Sequence, residues 1–233
     1  MTILIQGAMD IELDVLKDYF KPTEVRTING YEFCLCEYRG NKIIISKTEV
    51  GIINATIATT IGIYEFRPEL VINQGCAGSH RSNIHRGDLI IGEKAAYINN
   101  FRTRQAKLLG EGSDSLSWRP SNSHSYVIGS TPIYVELAER VEYAGKKYIG
   151  VIGSGDLFSK EVDRINYIHS LFGELSEDME SVATMKVCDS FNIDKIALRI
   201  ISNNEITNES FDGNVCRTLQ QFVIPFIDKI IAR

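Results

Sequence analysis

Short apolar runs recur along the chain, and segments with helical spacing alternate with them. TILIQ (2–6), KIIISKT (42–48), LVINQG (70–75), GDLIIGEKAAYI (87–98), YIGVIGSG (148–155) and KIALRIIS (195–202) are rich in Ile, Val and Leu. Runs of this kind suit strands covered on both faces. Their alternation with helices predicts an α/β fold, a mixed twisted β-sheet with helices on both faces.

The intervening segments support the same architecture. MDIELDVLKDYF (9–20) places Ile11, Leu13, Leu16 and Phe20 near helical spacing, and Pro22 marks its end. NATIATTIGIYEF (54–66), PIYVELAERVEYA (132–144), KEVDRINYIHSLF (160–172) and a closing segment from Gly213 to Ile231 also read as helices. EVRTI (24–28), YEFCLCEY (31–38) and KIIISKT are separated by Asn29-Gly30 and Arg39-Gly40-Asn41, which predicts a β-meander. LVINQG runs into a small-residue loop, Gly75-Cys76-Ala77-Gly78. Residues 98–130, rich in Ser, Asn, Gly and Arg and holding Trp118, read as a long excursion or lid. There is no internal repeat and no linker composition, so residues 1–233 read as one domain.

SEDMES (176–181) closes the apolar, strand-like run YIHSLFGEL and opens the helix-like run MESVATMKVCDSF. Glu177, Asp178 and Glu180 crowd this corner. Acids in a first helical turn serve the helix dipole. A carboxylate at a strand-to-helix corner can instead be aimed into a pocket to grip a polyol. In sheets of this class, ligand sites gather at the carboxyl ends of strands. Those ends carry Gly7-Ala8-Met9, Gly75-Cys76-Ala77, Gly155-Asp156-Leu157-Phe158, Asp178-Met179-Glu180 and Ser202-Asn203.

The net charge of −5, with both signs interspersed, argues against nucleic acid or an anionic membrane surface as the partner. No apolar run approaches membrane-spanning length, and MTILIQGAMD carries no export pattern. The five cysteines are scattered and odd in number, and the four histidines do not cluster with them in sequence. Reduced thiols in the cytoplasm and no metal site are expected. Cys34 and Cys36 alternate with Phe33 and Leu35 and should share one face.

GAMDIE, GCAG, SGDLF, DMES and RIISN follow one another in that order. Together they resemble the purine nucleoside phosphorylase/uridine phosphorylase superfamily, and within it the bacterial methylthioadenosine/S-adenosylhomocysteine nucleosidases. The resemblance covers the chain except residues 98–130. It implies a nucleoside phosphorylase-like single domain with a partly barrel-like sheet, and a homodimer with a loop borrowed from the neighbour at each site. It also implies cleavage of the N-glycosidic bond of a purine nucleoside without metal or cofactor. By position, Glu12 resembles the group that activates the attacking water, and Arg199 the arginine beside it. Glu180 resembles the carboxylate on the ribose hydroxyls, Met179 the residue packed on the sugar, and Phe158 the aromatic on the base. Phe211, in SFD, matches the residue over the far end of the sugar. Met9, Cys76, Ala77, Gly78, Ser159, Asp178 and Ser202 complete the implied pocket.

These roles suit the reaction. Glycosidic cleavage passes through an oxocarbenium-like sugar, which needs a base, nearby negative charge and a group that accepts the departing base. An arginine inside an apolar strand needs a carboxylate partner, and Glu12 is the one expected for Arg199.

Four departures matter. Cys76 and Asn203 stand where the nucleosidases place serine and aspartate. Gln74 stands where hexameric phosphorylases tend to show a phosphate-binding arginine. Residues 98–130 align with nothing, and Arg102, Arg104 and Arg119 there could hold an anion or lie in solvent. An amide at 203 has one acceptor and one donor end, which suits a 6-oxopurine better than adenine. A hydrolase, a phosphorylase and a nucleoside-binding protein without turnover all remain open at this point.

Overall fold

The computed structural model describes all residues except 104–107, 109–116 and 122–125. Thr2–Gly7 (β1) runs parallel to Asn41–Lys47 (β4) on one side and to Leu70–Ser79 (β5) on the other. Beyond β4 lie Tyr31–Tyr38 (β3) and Glu24–Ile28 (β2), antiparallel, as the meander requires. Beyond β5 come Asp194–Asn203 (β12), Leu89–Tyr97 (β6), Lys147–Ser154 (β10) and Glu174–Asp178 (β11). Val127–Gly129 (β9) pairs with β6, and a separate ribbon joins Phe101–Arg102 (β7) to Arg119–Pro120 (β8).

The tip of β11 then returns to β5, with Ser176 opposite Ser79 and Glu177 opposite Gly78. That pairing closes β11, β10, β6, β12 and β5 into a ring, so one half of the sheet is barrel-like while the meander half stays open.

Helices cover both faces because the central strands are apolar on both. Ile3 and Ile5 of β1 pack with Leu16 and Phe20 of Asp14–Phe20 (α1), with Tyr134 of Pro132–Glu139 (α3), and with Leu219, Phe222 and Phe226 of Val215–Ile231 (α6). Leu4, between them in sequence, points the other way, to Ile63 of Ile52–Phe66 (α2) and Val187 of Ser181–Ser190 (α5). Cys34 and Cys36 share the first face and Phe33 and Leu35 the second, as their alternation predicts. Among the described residues no helix is long and apolar enough to cross a membrane.

Four local expectations need correction. Gly75-Cys76-Ala77-Gly78 is strand, not loop: β5 stays paired with β12 through Gly78 and with β11 through Ser79, so its backbone groups are satisfied in the ladder. The first helical run is broken, with a 3-10 turn over Asp10–Glu12 before α1, because the Glu12 carboxylate folds back onto the chain end of β1. The run 132–144 is helical only to Glu139. Most of YIHSLFGEL belongs to helix Val162–Phe172 (α4), which Gly173 ends in a left-handed conformation, and only Glu174 onward is strand. Within 98–130, Arg102 and Arg119 lie on the β7–β8 ribbon, and Arg104 lies outside the described residues.

Candidate active site

The carboxyl ends of β1, β5, β11 and β12 converge on one cavity of about 170 Å³. Ala8, Met9, Glu12, Cys76, Ala77, Gly78, Phe158, Asp178, Met179, Glu180, Ser202, Asn203 and Phe211 line it, together with Val50 and Glu177. A smaller cavity of about 30 Å³ adjoins it and shares Gly78, Phe158, Glu177, Asp178, Met179 and Asn203 with it. Ser159 lines only this second space. Of the site residues read from the sequence, only Arg199 is away from both walls. It is fully buried behind them.

Glu12 is buried and held by main chain. One carboxylate oxygen accepts from Ala8 N at 2.6 Å and Met9 N at 3.1 Å, and the other accepts from Cys76 N at 2.9 Å. Gln74 fixes the turn by donating its Nε2 to the Glu12 carbonyl at 2.6 Å. Gly75 makes the approach possible, since a Cβ there would lie 2.6 Å from a Glu12 oxygen. Cys76 therefore serves Glu12 through its backbone. Its thiol faces Cys216, burial and Glu12, all of which push its ionisation up, so it stays protonated. Among the described residues, ligand atoms of Glu12, Cys76 and Cys216 come within 4.8 Å of one another, but three backbone N–H groups already occupy the Glu12 oxygens.

The partner of Arg199 is Asp178 rather than the expected Glu12. Its Nε lies 2.6 Å from Asp178 Oδ2, and a terminal nitrogen lies 3.8 Å from Glu180 Oε2. The Nε–H is not aligned on the oxygen, so the first contact is an ion pair rather than a hydrogen bond. Asn73 accepts from the remaining guanidinium through both its carbonyl and its side chain. Although burial opposes it, the Asp178, Glu180 and Glu12 carboxylates hold Arg199 above its usual range. Asp178 is saturated by the protein: Ser154 and Ser181 hydroxyls donate to it, as do the Glu180 and Ser181 N–H groups. It organises the corner and has little capacity left for a ligand.

Glu180 keeps that capacity. One oxygen accepts from Gly51 N at 2.9 Å and the other faces Arg199. Burial first, then the Asp178 charge, push its carboxyl up to about 7, against the pull of Arg199 and Gly51. Three acids thus surround one arginine, which leaves the cavity electronegative. Phe158 and Phe211 stand at its mouth, 46% and 53% exposed.

At the opposite end, Asn203 Oδ1 lies 2.9 Å from the Ser202 hydroxyl, and its Nδ2 donates to Glu205 Oε1 at 3.3 Å. Glu177 accepts from both Ser159 N and Ser159 Oγ at 2.7 Å. Behind it, His80 bridges Glu177 (3.5 Å) and Glu174 (2.8 Å).

Sequence reading missed Gly51, Asn73 and the cavity role of Glu177. Gly51 had a signal, a lone glycine between the end of β4 and the start of α2, where φ is +105°. Asn73 had none, being one polar residue inside a buried strand.

The family model for the phosphorylase superfamily matches residues 2–231. A 5'-methylthioadenosine/S-adenosylhomocysteine nucleosidase of Marinomonas sp. (strain MWYL1) is 29% identical over 200 residues, covering 84% of this chain and 83% of that one. The Helicobacter pylori enzyme of the same name, solved with butyl-thio-DADMe-Immucillin-A, superposes with a TM-score of 0.83 at 25% identity, over 98% of both chains. A mutant of the futalosine hydrolase of Helicobacter pylori strain 26695 gives a TM-score of 0.83 at 26% identity, over 98% of this chain and 99% of that one.

Proposed function

The chain belongs to the phosphorylase superfamily, and on that premise we propose that it is a purine nucleoside N-glycosidase using water as the nucleophile. Its substrates are nucleosides of the methylthioadenosine/S-adenosylhomocysteine type or 6-oxopurine nucleosides. The observation that carries the reading is the cavity wall. It holds Glu12, Glu177, Asp178 and Glu180, and among the described residues no lysine or arginine lines it. An oxocarbenium-like sugar is stabilised there, whereas a phosphate dianion would meet only like charge.

In the proposed reaction the C1'–N9 bond breaks and its electron pair leaves with the base. Water bonds to C1' and gives its proton to Glu12. A carboxylate offers about four acceptor positions, and the backbone takes three of those on Glu12. One remains for water. Glu180 accepts from the ribose hydroxyls and lies near the developing cation. Met179 and Met9 pack on the sugar, Phe211 covers its far end, and Phe158 stacks on the base. Arg199 and Asp178 hold Glu180 in place. Asn203 receives the base edge but has no proton to give, so that proton comes from solvent.

The chain acts as one domain over residues 1–233, with no cofactor, in the cytoplasm, and its five unpaired cysteines agree with a reducing compartment. It works as a homodimer. Ile53, Ile57 and Tyr64 form an exposed apolar strip on α2, and Val50 at its start lines the cavity. The test is base release from a panel of purine nucleosides, followed by chromatography. Release of free base supports the assignment, and no release from any purine nucleoside contradicts it.

A further inference from the structure

Cys76 gives Glu12 a backbone N–H, which leaves its thiol with no part in the reaction. That thiol has company. The sulfurs of Cys76 and Cys216 and a Glu12 carboxylate oxygen all lie within 4.8 Å of one another. They come from three separate elements: strand β5, the start of helix α6, and the turn after β1. Glu12 and Cys216 are buried and Cys76 is half-buried. Glu12 and Cys76 line the cavity, so the cluster is reached from there.

The backbones that carry these groups are fixed. Cys76 sits opposite Ile200 in the β5–β12 ladder. Gln220, one turn beyond Cys216, is fully buried. Its amide nitrogen donates to Ile11 O at 2.8 Å and to Cys216 O at 3.2 Å, and its oxygen accepts from Val15 N at 2.8 Å and Leu16 N at 3.1 Å. This one side chain ties the start of α6 to the residues flanking Glu12, and so holds the Cys216 sulfur in register with the carboxylate. One Glu12 oxygen takes two backbone N–H groups and the other takes only that of Cys76, so the open acceptor position is on the oxygen beside the thiols. Tetrahedral zinc bonds sulfur at about 2.3 Å and carboxylate oxygen at about 2.0–2.2 Å, which sets its ligand atoms about 3.5–3.8 Å apart. A contraction of about an ångström closes the cluster around such an ion.

We propose that Cys76, Cys216 and Glu12 form an inhibitory site for a thiophilic divalent cation of the zinc class, with its fourth position open to water on the cavity side. Thiolate sulfur selects such ions over magnesium or calcium. A thiol is deprotonated when it ligates a metal, so binding releases two protons to solvent and leaves two thiolates and one carboxylate on the ion. The ion takes the Glu12 position that the attacking water needs, and metal binding and turnover exclude each other. This inference rests on the nucleosidase reading for what the metal stops, and on the three ligands alone for the metal itself.

The experiment titrates the reduced protein with Cd²⁺ and Zn²⁺, in the wild type, in Cys76→Ser and in Cys216→Ala. Cadmium reports by its thiolate-to-metal charge-transfer absorption, which needs no substrate. The wild type should bind one Cd²⁺ per chain with that band, and each variant should bind it at least about a hundredfold more weakly. Zn²⁺ should stop base release by the wild type, and a chelator should restore it. Cys216→Ala, changed outside the cavity wall, should keep its metal-free rate and resist Zn²⁺. Cys216→Ser, nearly the same size, replaces the alanine variant if that one does not fold. A cadmium band with no base release from any nucleoside would defeat the nucleosidase reading and leave the metal site standing. No band in the wild type, or a band and zinc sensitivity unchanged in both Cys76→Ser and the Cys216 variant, overturns the proposal.

Discussion

Replacing Glu12 by glutamine changes one atom at the point where the account places the attacking water. The structure sets its cost in two currencies. The Glu12 carboxylate accepts from Ala8 N, Met9 N and Cys76 N at 2.6, 3.1 and 2.9 Å. A glutamine has only one acceptor atom, so its amide nitrogen must face at least one of these donors. The less costly orientation keeps the oxygen on Ala8 and Met9 and leaves the Cys76 N–H unpaired in a buried site. That costs about 1–3 kcal/mol of stability, and a chain of this length loses about 2–4 °C of melting temperature per kcal/mol. Separately, the variant has no base. Loss of a general base slows turnover by about a hundred- to ten-thousandfold, or about 2.7–5.5 kcal/mol of barrier. Base release at saturating nucleoside measures the second effect, thermal melting the first, and calorimetry shows whether nucleoside still binds. The prediction is a well-folded, slightly less stable protein that binds nucleoside and barely turns it over. Turnover within about threefold of the wild type would refute the assignment of Glu12, whatever the melting curve showed.

Gly75→Ala should act on the same group from outside, because its Cβ would lie 2.6 Å from a Glu12 oxygen. Displacing the carboxylate by an ångström should cost about a hundredfold in kcat, with little change where only binding is measured. For Glu180, the carboxyl is raised from 4.5 to about 7. If its ionised form grips the ribose and faces the cation, kcat/KM should rise with pH through about 7, and Glu180→Gln should lack that limb. Since the folded protein holds this proton more tightly than the unfolded chain, wild-type stability relative to Glu180→Gln should fall as pH rises from 4.5 to about 7, which melting across that range will check.

The sheet was legible because its central strands are apolar on both faces, and Ile3, Leu4 and Ile5 show why: neighbours in sequence pack against opposite helix layers. Most residues of the candidate cavity could be named in advance, since they follow strand ends and strand ends converge. What could not be read is pairing between distant strands. The return of β11 to β5 makes GCAG a strand and seats Glu177 beside Gly78, and no local pattern announces it. The partner of Arg199 failed for the same reason. Glu12 is a plausible carboxylate in sequence, but Asp178 is the one whose strand end delivers it to within 2.6 Å. Backbone donors such as Gly51 and Cys76 N were hidden because a main-chain N–H carries no residue-type signature.

The central claim is that water, and not phosphate, attacks the sugar. Phosphorus NMR of a turnover mixture containing inorganic phosphate tests it most directly, with base release followed in parallel with and without phosphate. The account predicts equal rates of base release in both and no new phosphate-ester resonance. Base release that requires phosphate, with a sugar phosphate formed in step with the free base, would contradict it.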